Sequence, residues 1–417
     1  MLKKFTVALV TLILTTSLAF ASGFSIYEQG AKATSMAGAF VAQANDVTAI
    51  FYNPAGITSL QGTHVGLGTT IIMPQANFTG PTSVDPNLFT AAKNEVFTPV
   101  SFYSSFQMND QLSFGFGFFT PFGLGSDWGN DWAGRYLATK TSVQTFFLNP
   151  VVAYKVMDHL SLAVGFEYAM GSVTMEKAID FPVNHSDVYS KLKANGNGMG
   201  FNLGLQYKPT DQLSLGIAYR SNVTLDFKDG DATFKLPVSE TDPMYPVMRA
   251  TFPNTKGSSK LKLPTFLSVG VAYNLTDQLT AEFDYFQIGW SSYDKLTVKF
   301  KDPVGGKTET VSEKGYENSA SYRLGMEYRM DDHLSFRAGF MRDNHAVPDN
   351  RVEPSLPEGD RNIYNIGLGY KTGAFNVDLV YMLLTQQDRD ITNQVDDFNG
   401  TYKALANIFG ISFGYSF

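Results

Sequence analysis

The chain is predicted to be an all-β membrane protein, one antiparallel transmembrane β-barrel of about 14 strands, and three features carry that prediction. Its last residues, Ile408 to Phe417, set Phe409, Ile411, Phe413, Tyr415 and Phe417 on one face and Ser412, Gly414 and Ser416 on the other. At a period of two, one face of such a strand meets lipid and the other a polar or tightly packed interior. A short polar turn recurs between alternating segments along the whole chain. The amino terminus reads as a secretion signal, and after it no run of about 18 apolar residues occurs, so no membrane-crossing helix is expected.

Lys3 and Lys4 precede a mostly apolar stretch from Val7 to Phe20, and Ala19-Phe20-Ala21 has the small-x-small form of a cleavage site. Residues 1–21 are therefore read as a signal peptide, with Ser22 first in the mature chain. Residues 22–61 are rich in small side chains (Gly30, Ala31, Ala33, Ala37, Gly38, Ala39, Ala42, Ala44) and lack long alternation. That composition suits short helices packed closely inside a barrel formed by residues 62–417.

The turns fall at Asn109 to Ser113, Asp158 to Ser161, Asp211 to Ser214, Asp277 to Thr280, Asp332 to Ser335 and, in a variant form, Lys371 to Ala374. Each separates two alternating runs, as a tight hairpin turn does. Long polar stretches lie between them, which puts the turns on the periplasmic side and the long loops outside. With both termini inside, six such turns separate seven outer hairpins, and seven hairpins make about 14 strands.

Facing follows from charge. Leu279, Phe283 and Tyr285 are assigned to lipid and Glu282 and Asp284 to the interior; Tyr322, Leu324, Met326 and Tyr328 to lipid and Arg323, Glu327 and Arg329 to the interior. An Arg on the lipid face at the midplane costs about 2–4 kcal/mol, which opposes the one-residue slip. The same sorting places Arg220, Arg337, Glu167 and Asp378 inside. A soluble β-sandwich would share the alternation, but not the signal, the outward aromatic rows and the terminal Phe417.

The abundance of Gly (37), Phe (34) and Tyr (21) fits aromatic girdles with tight internal approaches. A net charge of −7 with no compensating basic stretch argues against a nucleic-acid partner. Zero Cys excludes disulfides and thiolate metal sites, and no cofactor or metal is expected. His64, His159, His185, His333 and His345 sit in no G-x-S-x-G or H-E-x-x-H setting, so an enzyme finds no support. A general porin remains the closer alternative and predicts an open, conducting lumen.

Tyr52-Asn53-Pro54-Ala55-Gly56 ends the small-residue segment, and with it the chain resembles the FadL/TodX family, outer-membrane importers of long-chain fatty acids and hydrophobic hydrocarbons. The resemblance also rests on Gly23-Phe24, Trp132-Ala133-Gly134-Arg135-Tyr136, Asn149-Pro150, Leu263-Pro264-Thr265, Trp290-Ser291-Ser292-Tyr293, Leu356-Pro357 and Asp360-Arg361, in that order. It implies a Gram-negative outer-membrane location, a lumen plugged by a hatch at residues 22–61, and sideways release of ligand into membrane lipid at a kinked third strand. Phe24, Asn53, Pro54 and Ala55 are then assigned to the hatch and gate. The implied partners are a long-chain fatty acid or other hydrophobic small molecule, and the barrel assembly machinery through Phe417, with a monomer as the expected state.

The third strand is locally suggestive. Phe114, Phe116 and Phe118 alternate against Gly115 and Gly117 before Phe119-Thr120-Pro121-Phe122-Gly123 breaks the pattern. Pro121 offers no ladder hydrogen bond, so either the strand kinks there or it simply ends at the rim. Gly115, Gly117, Thr120, Pro121, Phe122 and Gly123 are the candidate lining of a lateral opening. Met244, Tyr245, Met248 and Phe252 stand in a long outer loop, either as a binding groove or as packing against a neighbouring loop. Arg135, Arg323 and Arg337 either meet a ligand carboxylate or pair with interior acids.

Overall fold

A computed structural model of the protein describes residues 23–181, 185–393 and 395–417; the signal peptide and Ser22 lie outside the described residues. The strands close into an antiparallel barrel of 14. They are Thr63–Thr79, Val100–Gln107, a third in two pieces (Leu112–Phe119 and Gly123–Asp127), Lys140–Met157, Leu160–Phe181 and Ser186–Tyr207. The seventh to tenth are also in two pieces: Leu213–Arg220 with Val223–Lys235, Thr255–Leu263 with Phe266–Asn274, Leu279–Ile288 with Lys295–Val304, and Lys307–Glu313 with Ser319–Arg329. Leu334–Asp343, Arg361–Thr372, Phe375–Gln386 and Thr401–Ser416 complete the wall. The first and last strands pair from His64 with Ser416 to Thr79 with Thr401, which leaves no free sheet edge at the seam.

All six turns of the repeat join consecutive strands where the sequence predicts them, while one outer connection expected to be long, between Val304 and Lys307, is a two-residue turn. Their chemistry is local: Asn109 Oδ1 accepts the backbone N–H groups of Gln111 (3.0 Å) and Leu112 (2.8 Å), and Asp331 Oδ1 those of His333 (2.8 Å) and Leu334 (2.7 Å). A short acidic or amide side chain thus replaces ladder partners as the chain reverses. Side-chain parity also follows the sequence. Leu324, Met326 and Tyr328 are exposed on the outside, while Arg323 and Glu327 are buried within. Arg329 keeps the inward parity but lies exposed at the short-turn rim, where it donates to Asp277 O (2.8 Å).

Residues 23–61 run through the lumen as the helices Ala31–Ser35 and Ala49–Tyr52 and the 3₁₀ turn Pro54–Ser59. Small residues make this possible: a Cβ at Gly216 would fall 2.1 Å from Val41 O, and one at Gly339 2.4 Å from Ala37 N. The polar groups of this segment find partners on the wall. Asp284 accepts from Phe40 N (2.8 Å) and Val41 N (3.0 Å), and Glu282 from Ala42 N (2.6 Å) and Gln43 N (3.1 Å). Arg323 lies over the rings of Phe286 (3.6 Å) and Tyr27 (4.2 Å), and donates to Gly38 O. The interior charges called for by the alternation are thus the sockets for the inner segment.

The wall is hydrogen-bonded without help from most of that segment, so a chain lacking residues 22–61 is expected to fold and keep heat-modifiable gel mobility. Its ion conductance in planar bilayers should rise severalfold over the intact protein. An unchanged conductance would place the occlusion in the outer loops instead.

Candidate functional site

Above the inner segment, the inward faces of the fourth to tenth strands and the loop before the twelfth enclose a cavity of roughly 890 Å³, counting its open mouth. Val143, Val173, Leu261 and Leu296 wall it, Leu124 of the third strand closes one side, and Phe24 forms part of its lining. Phe24 is held by aromatic neighbours, with ring centroids 4.7 Å from Trp290, 6.1 Å from Phe122 and 6.4 Å from Tyr293. Polar groups interrupt this apolar surface at Lys193 and Asp231 and at one end of the cavity. There the Lys314 ammonium pairs with the Glu353 carboxylate, which also accepts from Ser355 Oγ (2.6 Å). Burial alone would raise the Glu353 carboxyl, but the Lys314 charge and the Ser355 hydroxyl outweigh it and hold it below its ordinary value.

The third strand is paired on both edges only as far as Phe119. Phe102 faces Phe118 on one side, and Phe119 faces Phe147 on the other. After Thr120 and Pro121 the strand resumes at Gly123, now paired with the fourth strand alone. The register shows why: from Phe119–Phe147 to Gly123–Gln144 the third strand advances four residues against three on its partner. Thr145 bridges the irregularity, its hydroxyl donating to Phe122 O (2.8 Å) and accepting from Phe122 N (3.2 Å). On the free edge the inner segment acts as a short strand: Ile26 N donates to Pro121 O (2.8 Å) and Gly123 N to Phe24 O (3.0 Å). Farther out, Lys93 N donates to Asp127 O (2.7 Å), and Lys93 and Lys140 both pair with the Asp127 carboxylate.

The glycines divide into two sets. Gly115 and Gly117 face inward, where a Cβ would meet Ile50 at 2.9 and 3.0 Å, so they make room for the inner segment. Gly123 faces the other way, and a Cβ there would fall 2.6 Å from Ile26 Cδ1, beside the unladdered edge. Asn53 is a hub: Nδ2 donates to Val41 O (2.8 Å) and Leu205 O (2.9 Å), while Oδ1 accepts from Ala55 N (3.2 Å) and caps the turn begun by Pro54. This hub leans on the sixth strand, not on the third.

The other candidates lie elsewhere. Met248 and Phe252 are buried in a separate cluster with Phe181, Val188 and Phe234, with Met244 packed on it; Tyr245 starts the helix Tyr245–Thr251 beside them. Arg135 pairs with Asp187 (2.7 Å) over the Tyr136 ring, and Arg337 with Glu327 and Asp378 (2.6 Å each). None of these side chains, nor Arg323, lines the apolar cavity. Lys314, Glu353 and Leu261, which do, were not singled out by the sequence: Leu261 alternates as ordinary wall, and Lys314 and Glu353 stand outside the alternating runs.

The family described as "Outer membrane protein transport protein (OMPP1/FadL/TodX)" matches residues 12–417. The chain is 26% identical to outer membrane protein P1 of Haemophilus influenzae, with all of both chains covered. It is 26% identical to the long-chain fatty acid transport protein of Salmonella typhi, over 99% of this chain and 98% of that one. Among solved structures, a Pseudomonas aeruginosa FadL homologue superposes with a TM-score of 0.83 at 22% identity, over 95% of this chain and 100% of the other. The Pseudomonas putida toluene transporter TodX superposes at 0.72 with 14% identity, over 93% and 98%, and these two likenesses bear on the fold alone.

The Asn53 hub is testable. Asn53→Ala removes a side chain that is fully buried and strands the carbonyl of Val41 and the N–H of Ala55, at about 1–3 kcal/mol for each group left unpaired. Amide exchange across residues 40–56 should accelerate at least tenfold while the barrel strands keep their protection; unchanged exchange would deny the hub its anchoring role.

Proposed function

The chain belongs to this family of outer-membrane transport proteins, and from that premise we propose that it passively imports hydrophobic compounds, long-chain fatty acids foremost. Ligand is captured in the apolar cavity under the outer loops and released sideways into the membrane past the third strand. It is a transport channel and not an enzyme. One observation carries the route: the strand that walls the cavity through Leu124 is the strand that has no ladder to the second strand from Thr120 to Ser126 among the described residues.

Energetics support this exit. A chain of about fifteen methylenes gains roughly 12 kcal/mol on leaving water, at about 0.8 kcal/mol per methylene. The short-turn half of the lumen holds a larger cavity, roughly 1700 Å³ counted in the same way, lined by Lys32, Asp46, Glu327, Arg337 and Asp378. An acyl chain leaving axially would cross that charged, wet region and forfeit the gain; a sideways exit keeps it among apolar groups. No energy coupling is then needed beyond the gradient.

Lys314 is the proposed anchor for a fatty-acid carboxylate, which would take the place that Glu353 holds. The same pair supports a second reading, a neutral aromatic hydrocarbon, since such a ligand would leave Lys314 and Glu353 bonded to each other.

Binding and uptake separate these readings. Lys314→Gln should weaken equilibrium binding of a labelled long-chain fatty acid about tenfold, about 1.4 kcal/mol, and leave toluene binding unchanged. Equal effects on both ligands would favour the hydrocarbon reading. Gly123→Leu, placed against Ile26, should abolish uptake of either ligand in cells with matched surface expression while binding to purified protein persists. Normal uptake by that variant would send the route back to the lumen axis.

A further inference from the structure

We propose that Phe97 is the positioning residue that shuts the wall opening by filling the space between the first and third strands, an inference that rests on the sideways route above. The stretch Ala92–Pro99, which precedes the second strand, hangs mainly on the first strand, with Lys93 and Glu95 tied to Asp127 and Lys140 at its start. Phe97 exchanges two backbone hydrogen bonds with Ile72 (2.8 and 3.0 Å), Thr70 N donates to Pro99 O (3.2 Å) and Ala92 N to Ala76 O (2.9 Å). Toward the third strand its backbone makes one bond, from Lys93 N to Asp127 O, at the outer limit of the gap.

The Phe97 side chain crosses what the backbone leaves open. A Cβ built on Gly125 would fall 2.1 Å from Phe97 Cζ and 2.6 Å from Cε1, so the ring lies flush against that glycine. Gly125 pairs with Ser142, on the face of the fourth strand that carries exposed Gln144, whereas Leu124 pairs with buried Val143 and lines the cavity. Phe97 lies opposite Ile72, whose side chain packs on the interior core, so the ring leaves its own strand on the inner face and wedges between the first strand and the back of the third, whose other side is the cavity wall; one strand separates it from bound ligand.

Ile26 covers Gly123 in the same manner, but its own backbone is bonded to Pro121, so it moves only with the inner segment. Phe97 is half-buried, and a rotation of its side chain clears Gly125 without breaking a backbone bond. Exposed Val96 and Val100 flank it and present apolar lips to lipid. Only a residue without a side chain at position 125 lets an aromatic ring seal this seam.

The absence of cysteine permits a direct test. Leu124→Cys places a single thiol on the cavity wall, and N-pyrenylmaleimide dissolved in the acyl region of proteoliposomes reports access to it from lipid. Adding Phe97→Ala should raise the labelling rate tenfold or more. Gly125→Ala, which keeps Phe97 but displaces its ring, should act in the same direction, and Phe97→Trp should slow labelling. Heat-modifiable mobility verifies folding of each variant. Equal labelling rates in all of them overturn the role of Phe97, and if Gly123→Leu still blocks uptake the sideways route survives that loss. Faster labelling in Phe97→Ala with fatty-acid uptake insensitive to Gly123→Leu establishes Phe97 as the seal and removes the sideways route.

Discussion

In hydrocarbon, a backbone N–H or C=O without a partner costs several kcal/mol, and a barrel exists because closing the sheet pairs them all. Along the outer half of the third strand this wall departs from that constraint. There Pro121 has no N–H to offer, an extra residue breaks the register, and the neighbouring strand hangs on its other partner. The missing bonds are supplied from inside, by Phe24 O and Ile26 N. An interior segment that would otherwise be only a plug thereby becomes part of the wall, and its position and the integrity of the third strand are one variable.

The lumen charges serve the same end. Glu282 and Asp284 accept consecutive amides from Phe40 to Gln43, and Arg323 holds Gly38, so the acids and the guanidinium secure a backbone that has too few hydrogen bonds of its own. Farther toward the short turns, Arg337 is shared by Glu327 and Asp378. Removing one partner of such a buried set leaves an uncompensated charge, which costs far more than the pair contributes. The segment is thus fixed firmly at its middle and more lightly at Phe24 to Ile26, the end that meets both cavity and gap.

The fold was largely legible because its signals are local. Asn109, Thr276 and Asp331 each bond through a side-chain oxygen to amides two and three residues on, and alternation with charge sets the facing of Arg323 or Leu324 without knowledge of any distant residue. The break at Pro121 was visible, but whether the strand ended or resumed depended on Gly123 meeting Gln144. The cavity was not legible. Leu261 and Leu296 alternate like the residues that touch the inner segment, and only their height above it, set by breaks at Pro264 and Trp290, separates lining from packing. The Lys314 and Glu353 pair joins residues 39 apart, and the outer-loop hydrophobes, Met248 and Phe252, turned inward to a core of their own.

Cavity and gap are joined by three consecutive residues. Phe24 lines the cavity, Ser25 pairs with Phe122, and Ile26 stands at Gly123 in the gap. Two backbone hydrogen bonds tie this stretch to the third strand, each worth about 0.5–1.5 kcal/mol net, against roughly 12 kcal/mol available from burying a long acyl chain. A ligand large enough to displace the Phe24 ring therefore commands several times the energy needed to release the strand edge. A polar solute does not, since it gains little by entering an apolar cavity. On the proposed sideways route, selectivity and opening would draw on the same quantity, the apolar area that the ligand itself brings, and a leak to small ions would be opposed by the interaction that admits the cargo.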